Sequence, residues 1–399
     1  MSTEFGSGLA KADDGYEAGK KAADKAQQQL DGYPDFAVVF TSPRYDYEAV
    51  IEGVREYSGD AKMIGSSSSG EFTDRESETG SVTVALISSD DMKFYTSIEG
   101  GVNDDVIDTV EEAAEGLPKE VSGYPHMAGI NLHDGLAGVG ESISLAAQQQ
   151  FDGEIPFAGG SAGDDFNMEA TPVFTRDRVE ESGVALAVIA SKKPIGVSVE
   201  HGHEPISDES FKVTEAEGNV VKKLDGRPAY DVWKEQIRDR VKERFDVDID
   251  DVDPDDDIFA EIGAVHEFGI VTSEGNYKVR WPGLTSSTDG PMGFAVEMSE
   301  GVEVQVMDTD RERTVEATEK NIEEAAESVE ADGYSGILAF DCVARGIVMG
   351  DDFGELGETT ADIADASLAG FQTYGEVCMR EGELSGYHNA TGVIMLLPE

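Results

Sequence analysis

A pattern used three times constrains this chain more than any other feature. In each copy an apolar strand ends in a short polar turn, a helical stretch follows, and a second strand runs into a small-residue loop closed by an acid. The copies are AVVFTSPRYD (37–46) leading to MIGSSSSGEF (63–72), GINLHDG (129–135) leading to IPFAGGSAGDD (155–165), and ILAFDCVARG (337–346) leading to LAGFQTYGEV (368–377). Phe40, Leu132 and Phe340 fall at one equivalent place, Gly65, Gly159 and Gly370 at a second, and Glu71, Asp164 and Glu376 at a third. A gap of roughly 25–30 residues between strand end and glycine loop suits a βαβ crossover. The chain is therefore expected to be an α/β protein: a two-part module of mixed β-sheets flanked by helices, with repeated βαβ-like units. The three bends are expected to converge on one cleft.

Between the copies, periodicity predicts a helix over 16–30 and another over 104–115, the latter ended by Gly116 and Pro118. Alternation predicts a hairpin from strands 81–88 and 92–98, and an antiparallel meander from 171–175, 183–190 and 195–200. Texture changes near Leu224. Helix Ala229–Phe245 is charged and amphipathic, 258–310 reads as mostly short strands, and 311–330 reads as a surface helix. This divides the chain into a strand and helix segment over 1–33, a first α/β domain over 34–220 and a second over 221–399.

Charge excludes some functions. With 83 acidic and 30 basic residues the net charge is −53, which repels nucleic acid. The acids run the whole length, and an apolar content of 39% argues against disorder. Adaptation to very high salt is the reading preferred over a specific cationic partner, because concentrated salt screens self-repulsion. No apolar run reaches the roughly 18 residues of a membrane span, and no leader segment is evident. The two cysteines, Cys342 and Cys378, make no disulfide framework. A cytoplasmic protein without a membrane or nucleic-acid partner is expected.

Several motifs approach known chemistry and fall short. DVDIDDVDPDDD (246–257) alternates aspartates like a calcium loop but lacks its sixth-place Gly and twelfth-place Glu. The loop from Gly65 to Gly70 has phosphate-loop spacing, yet Glu71 and Phe72 stand where Lys and Ser or Thr belong. Gly159 to Gly163 matches a hydrolase elbow around Ser161, but no helix pattern follows. Cys342 with Arg345 and the distant His388 allows nucleophilic chemistry if the fold unites them. His201 and His203 alternate on a strand without the further ligands of a zinc site. His126, His133 and His266 are isolated.

Taken in order, VVFTSPRYD, IGSSSSGEF, IPFAGGSAGDD and the strands of 183–199, then LDGRPAYDVW, YKVRWP, AFDCVARG, GFQTYGE and HNATG, resemble the FIST family over nearly the whole chain. Ala390 departs from the family's His-Asn-Gln-Thr ending. The resemblance implies a sensory module working beside kinases or chemotaxis components, with small ligands such as amino acids. Some members bind haem and respond to nitric oxide, so haem is carried as a variant; otherwise no cofactor is expected. The module fills the sequence, so a signal is expected to pass to a separate protein. The ligand site is expected at Gly65, Ser66, Ser67, Glu71, Gly160, Ser161, Asp164, Cys342, Arg345, Tyr374, Glu376, His388 and Asn389. Backbone donors of the bends and Arg345 would hold a carboxylate, and the acids an ammonium. An enzyme using Cys342 or Ser161 is the rival reading.

Overall fold

Three copies of one supersecondary unit, each lending a strand to the next, make up the body of the molecule. The computed structural model describes residues 3–272, 277–329, 331, 333–380 and 386–399. In each unit an edge strand leads to a helix, then a strand, a crossover of one or two helices, a strand parallel to the first, a bend, a lent strand and a return strand. In the first unit these are Glu4–Ala10, helix Gly15–Gln27, Phe36–Thr41, helix Tyr47–Ser58, Lys62–Ser67, Glu71–Thr73 and Val82–Ser88. In the second they are Met92–Gly100, helix Val106–Glu115, His126–His133, helix Gly140–Gln150, Phe157–Ser161, Val173–Thr175 and Gly183–Ser191. In the third they are Gly196–Glu200, helix Arg311–Glu327, Tyr334–Cys342, helices Val343–Met349 and Gly354–Ala364, Ser367–Thr373, Glu376–Met379 and Gly392–Pro398.

The helix after each edge strand starts the same way. Asp14, Asp105 and Asp310 cap them, each carboxylate accepting from the backbone N–H three residues on. The repeat therefore extends over twice the length that the sequence motifs reveal.

Lending is cyclic. Glu71–Thr73 of the first unit pairs with Ser367–Thr373 of the third, Val173–Thr175 of the second with Lys62–Ser67 of the first, and Glu376–Met379 of the third with Phe157–Ser161 of the second. Each lent strand lies over the repeat glycine of its host. Phe72 stands opposite Gly370, Phe174 opposite Gly65 and Val377 opposite Gly159. A Cβ on Gly65 would overlap the Phe174 ring, and one on Gly370 the Phe72 ring. Glycine is required there by packing.

One face of each unit's sheet turns to a shared core, where Phe40, Leu132, Phe340 and Phe371 meet. Phe40 stacks on Phe371 at 4.2 Å and meets Phe340 edge-on at 6.1 Å. The opposite faces carry separate apolar clusters that reach the helices of each unit. Sheets covered on both sides explain why Gly183–Ser191 is buried along its whole length.

Residues 201–308 interrupt the third unit between its edge strand and its first helix. They hold a fourth sheet, helices Ala229–Phe245 and Asp257–Val265, and a core around Trp233. Trp233 donates its indole N–H to the His266 carbonyl at 2.9 Å.

Three expectations need correction. Strands Val82–Ser88 and Met92–Gly100 lie in different sheets and form no hairpin. Strands Val173–Thr175, Gly183–Ser191 and Gly196–Glu200 go to three different sheets and form no meander. Alternation marks a strand but does not name its partner, and here short connections cross between sheets. The stretch read as mostly strands begins with helix Asp257–Val265.

Candidate functional site: a buried set of unpartnered acceptors

The three bends do come together. Gly163 donates its N–H to the Ser67 carbonyl at 3.3 Å, Ser69 to Gln372 at 3.1 Å, Gln372 to Gly70 at 2.8 Å, Ser161 to Gly375 at 2.7 Å and Tyr374 to Ser161 at 3.2 Å. These donors are spent on one another. A Cβ on Gly160 would stand 2.6 Å from the Thr373 methyl, so the bends are packed against each other at that point. The buried hydroxyls of Ser66 and Ser67 have no hydrogen-bond partner among the described residues.

The acids assigned to an ammonium are engaged as well. Glu71 accepts from the Ser68 hydroxyl and from the Ser81 N–H (2.9 Å) and hydroxyl (2.6 Å). Glu376 repeats this with the Thr373 hydroxyl and with the Thr391 N–H (3.1 Å) and hydroxyl (2.8 Å). Burial pushes each carboxyl up to about 8, the hydroxyl and N–H donors holding it back. Asp164 is not their equivalent. By register, Glu71 faces Phe371, Glu376 faces Gly160 and Val173 faces Ser66, so Val173 occupies the third place. The Asp164 carboxylate instead staples its own loop, accepting from Tyr374 Oη (2.6 Å), Glu169 N–H (2.7 Å) and Ala170 N–H (3.3 Å).

Ser161 has the neighbours of a nucleophile without its access. Its Oγ lies 2.8 Å from His133 Nε2, and His133 Nδ1 lies 3.1 Å from Asn131 Oδ1. Burial pulls the imidazole down to about 3, so it is neutral. Nδ1 then donates to Asn131, Nε2 accepts from Ser161, and Tyr387 Oη donates to Ser161 across 2.8 Å. Ser161 is 1% exposed and no helix follows it. The relay is a closed ladder between strands.

Arg345 turns away from the bends. Nε donates to Asp341 Oδ1 at 2.8 Å and Nη2 to Thr318 Oγ1 at 2.6 Å. It lines a cavity of about 10 Å³ with Thr318, Asn321 and Asp341, room for one water. Cys342 is buried at the start of helix Val343–Met349. Burial pushes its thiol well above the ordinary range, and Glu376 and Glu267 add to this. Arg345 does not make it a thiolate.

Several of the polar groups left without partners lie where 201–308 closes over the third unit. Ala264, Val279, Cys342, Ala344 and Ala390 form an apolar seam between them. Beside it stands Glu267, 0% exposed, with neither carboxylate oxygen hydrogen-bonded. Burial, with Glu376 second, raises its carboxyl well above the usual range. Its Oε1 is 3.9 Å from His203 Nε2, which has no partner either. His203 Nδ1 lies 3.2 Å from the His201 carbonyl and must carry the proton, so Nε2 offers a lone pair. Asn389 Oδ1, next to Ala390 in a turn held at φ +57°, is a further unpartnered acceptor. His388 Nε2 is engaged with the Cys378 carbonyl at 3.2 Å.

Glu267, His203 Nε2 and Asn389 Oδ1 lack partners here, as do the buried donors Arg280 Nε and Trp281 Nε1, whose ring packs on the same seam, and a nitrogen donor entering between Glu267 and His203 would meet two of the acceptors. One donor nitrogen at about 2.8–3.0 Å from each of two acceptors can bridge a 3.9 Å gap. Among the described residues no group of three His, Cys, Asp or Glu is placed to hold a metal ion. Of the histidines, His133 has both ring nitrogens engaged, while His201, His266 and His388 each have one engaged with a protein partner.

Sequence reasoning named Cys342, Glu376, His388 and Asn389 near this place. It set His203 aside and missed Glu267, whose only signal is the lack of a partner in three dimensions. Among the described residues, no helix is long and apolar enough to cross a membrane.

Comparison with known proteins places the geometry in context. The FIST N domain model matches residues 35–227, and the FIST C domain model matches 229–379. An uncharacterized protein of Methanocaldococcus jannaschii is 26% identical over 265 residues, 61% of this chain and 49% of its own length. The chain thus spans about half of that relative.

Proposed function

The chain belongs to the FIST family, whose domains are sensory modules of signal transduction, and from that premise we propose that it senses a small amino-acid-like molecule by taking the ligand's ammonium at Glu267. The unpartnered, fully buried Glu267 carboxylate carries this reading. An orphaned buried carboxyl costs stability and is retained where a ligand completes it. His203 Nε2 and Asn389 Oδ1 supply further acceptors for the ammonium hydrogens. The site sits at the carboxyl end of Tyr334–Cys342, where ligands of parallel sheets habitually bind. It also spans two bodies, the third unit and residues 201–308, so occupancy can favour one arrangement over another. The signal then passes to a separate protein such as a kinase or chemotaxis component, in the cytoplasm.

The test is a thermal-shift screen of the full chain in molar salt, covering amino acids, their N-acetyl forms and simple carboxylates. Amino acids or primary amines should raise the melting temperature, and N-acetylation should abolish the rise. A response to carboxylates alone, or one that survives Glu267→Gln undiminished, overturns the assignment.

A further inference from the structure

A second cavity is built from parts that the sensing site does not use. Helix Ala229–Phe245 brings Tyr230 and Lys234, one turn apart, to the same face, and the acidic stretch after the helix folds back beside them as a short turn, Ile249–Asp251. With Ile249, Asp250, Asp251, Val252, Asp253 and Thr288 they enclose about 250 Å³. That is somewhat below the usual size of a small-molecule pocket.

The charges here are unevenly used. Asp250 is neutralised twice, by Lys234 Nζ at 2.8 Å and by Arg238 Nη1 at 2.6 Å. Lys234 is further held over the Tyr230 ring at 5.6 Å. Asp251 and Asp253 have no ion pair among the described residues, Asp253 Oδ1 accepting only the Asp255 N–H at 3.1 Å, and both are exposed at the rim. Ile249 and Val252 stand between them and the core as apolar wall.

A second observation, independent of the acids, points to an occupant. Tyr230 is 1% exposed, lines this cavity, and its hydroxyl has no hydrogen-bond partner. Burial pushes the phenol up to about 12, with Asp250, Asp231 and Asp253 adding to it, so it stays a neutral hydroxyl. A buried hydroxyl left unmet costs stability, and phenylalanine would avoid that cost. The direct-coordination alternative is closed, since no three ligating groups converge among the described residues.

We propose that this cavity binds an aliphatic diamine: one ammonium on each rim carboxylate that lacks an ion pair, Asp251 and Asp253, the hydrocarbon spacer against Ile249 and Val252, and the Tyr230 oxygen accepting an N–H at the floor. This site is separate from Glu267 and would tune the module by the level of a second, dicationic molecule.

Calorimetric titration of the full chain with 1,4-diaminobutane in molar salt tests it, because salt suppresses diffuse attraction to a surface this acidic. A saturable one-to-one isotherm is expected, weakened at least tenfold by Asp251→Asn with Asp253→Asn and unchanged by the charge-matched Glu111→Gln with Glu112→Gln. Tyr230→Phe removes no charge. It should weaken binding at least threefold while leaving the melting temperature equal or higher, a combination that a structural hydroxyl would not give. Glu267→Gln should leave the titration unaltered, which separates failure here from failure of the sensing site. Absence of a saturable signal overturns the proposal. So does equal affinity for butylamine, or an affinity that Tyr230→Phe does not change.

Discussion

Replacing Glu267 by methionine should make the ligand-free protein more stable and leave it unable to respond. The side chain is fully buried and both oxygens lack partners. Each unmet buried polar atom costs about 1–3 kcal/mol, and a methionine of similar length removes both. Allowing for imperfect packing, about 2–4 kcal/mol should return. Unfolding entropy near 2.1 cal/mol/K per residue, over 399 residues, makes 1 kcal/mol worth about 1 °C. The ligand-free variant should therefore melt about 2–5 °C above the wild type. A ligand at one hundred times its Kd adds about 2.7 kcal/mol to the wild type, or about 3 °C, and should add nothing to the variant. Calorimetric melts with and without ligand, at fixed salt, read both effects. A fall in melting temperature of the same size in the ligand-free variant would show that Glu267 serves the fold. That result would refute the reasoning.

Three further outcomes follow from the same geometry. Glu71 and Glu376 are held neutral up to about pH 8, against 4.5 for an ordinary glutamate. Their contribution is fully present below pH 4.5 and is lost as pH rises through 8. Melting temperature should fall between pH 4.5 and 8 and level off above that, and Glu71→Gln with Glu376→Gln should flatten the fall; an identical slope in the variant contradicts the placement. A fragment of residues 1–228 lacks strand Glu376–Met379, leaving Phe157–Ser161 as a bare edge beside the core. It should show no cooperative melt until residues 229–399 are co-expressed, and a sharp transition of the fragment alone would count against strand exchange. With a net charge of −53, the protein should lose stability steeply as salt drops below molar levels. Equal melting in dilute and molar salt would remove the halophilic reading.

The sequence displays half of the repeat and hides the other half, for physical reasons. The bends are legible because Gly65 and Gly370 lie under rings of the lent strands and a Cβ on Gly159 would strike the Asn131 backbone, so each place calls for glycine. The edge strand and first helix leave just the caps Asp14, Asp105 and Asp310 as a common mark, and in the third unit residues 201–308 separate them. Asp164 was matched to Glu71 and Glu376 by its distance from the glycine. The longer loop before Val173–Thr175 shifts the register, so an apolar residue takes that place. Glu267 carries no local pattern at all. Its meaning lies in what does not touch it.

The site stands where the threefold plan is broken. The first strands of the three units end at equivalent positions, followed by Ser42 and Asp134 in the first two and reached by Cys342 in the third. Loop 162–172 closes the first two: Ser42 Oγ donates to Asp165 Oδ2 at 2.8 Å, and the Thr171 hydroxyl donates to Asp134. At the third, residues 201–308 take the place of that closure and bring Glu267 and His203 without donors to meet them. The first two closures leave one buried oxygen of Asp165 unmet, whereas the third leaves both oxygens of Glu267 and Nε2 of His203. The turn bearing Asn389 leads directly into the return strand Gly392–Pro398, and Glu376 lies on the strand lent to the second unit. A cation captured there would pull on the inserted body and on strands of two sheets at once, which is the arrangement a sensor needs if binding is to be felt beyond its site.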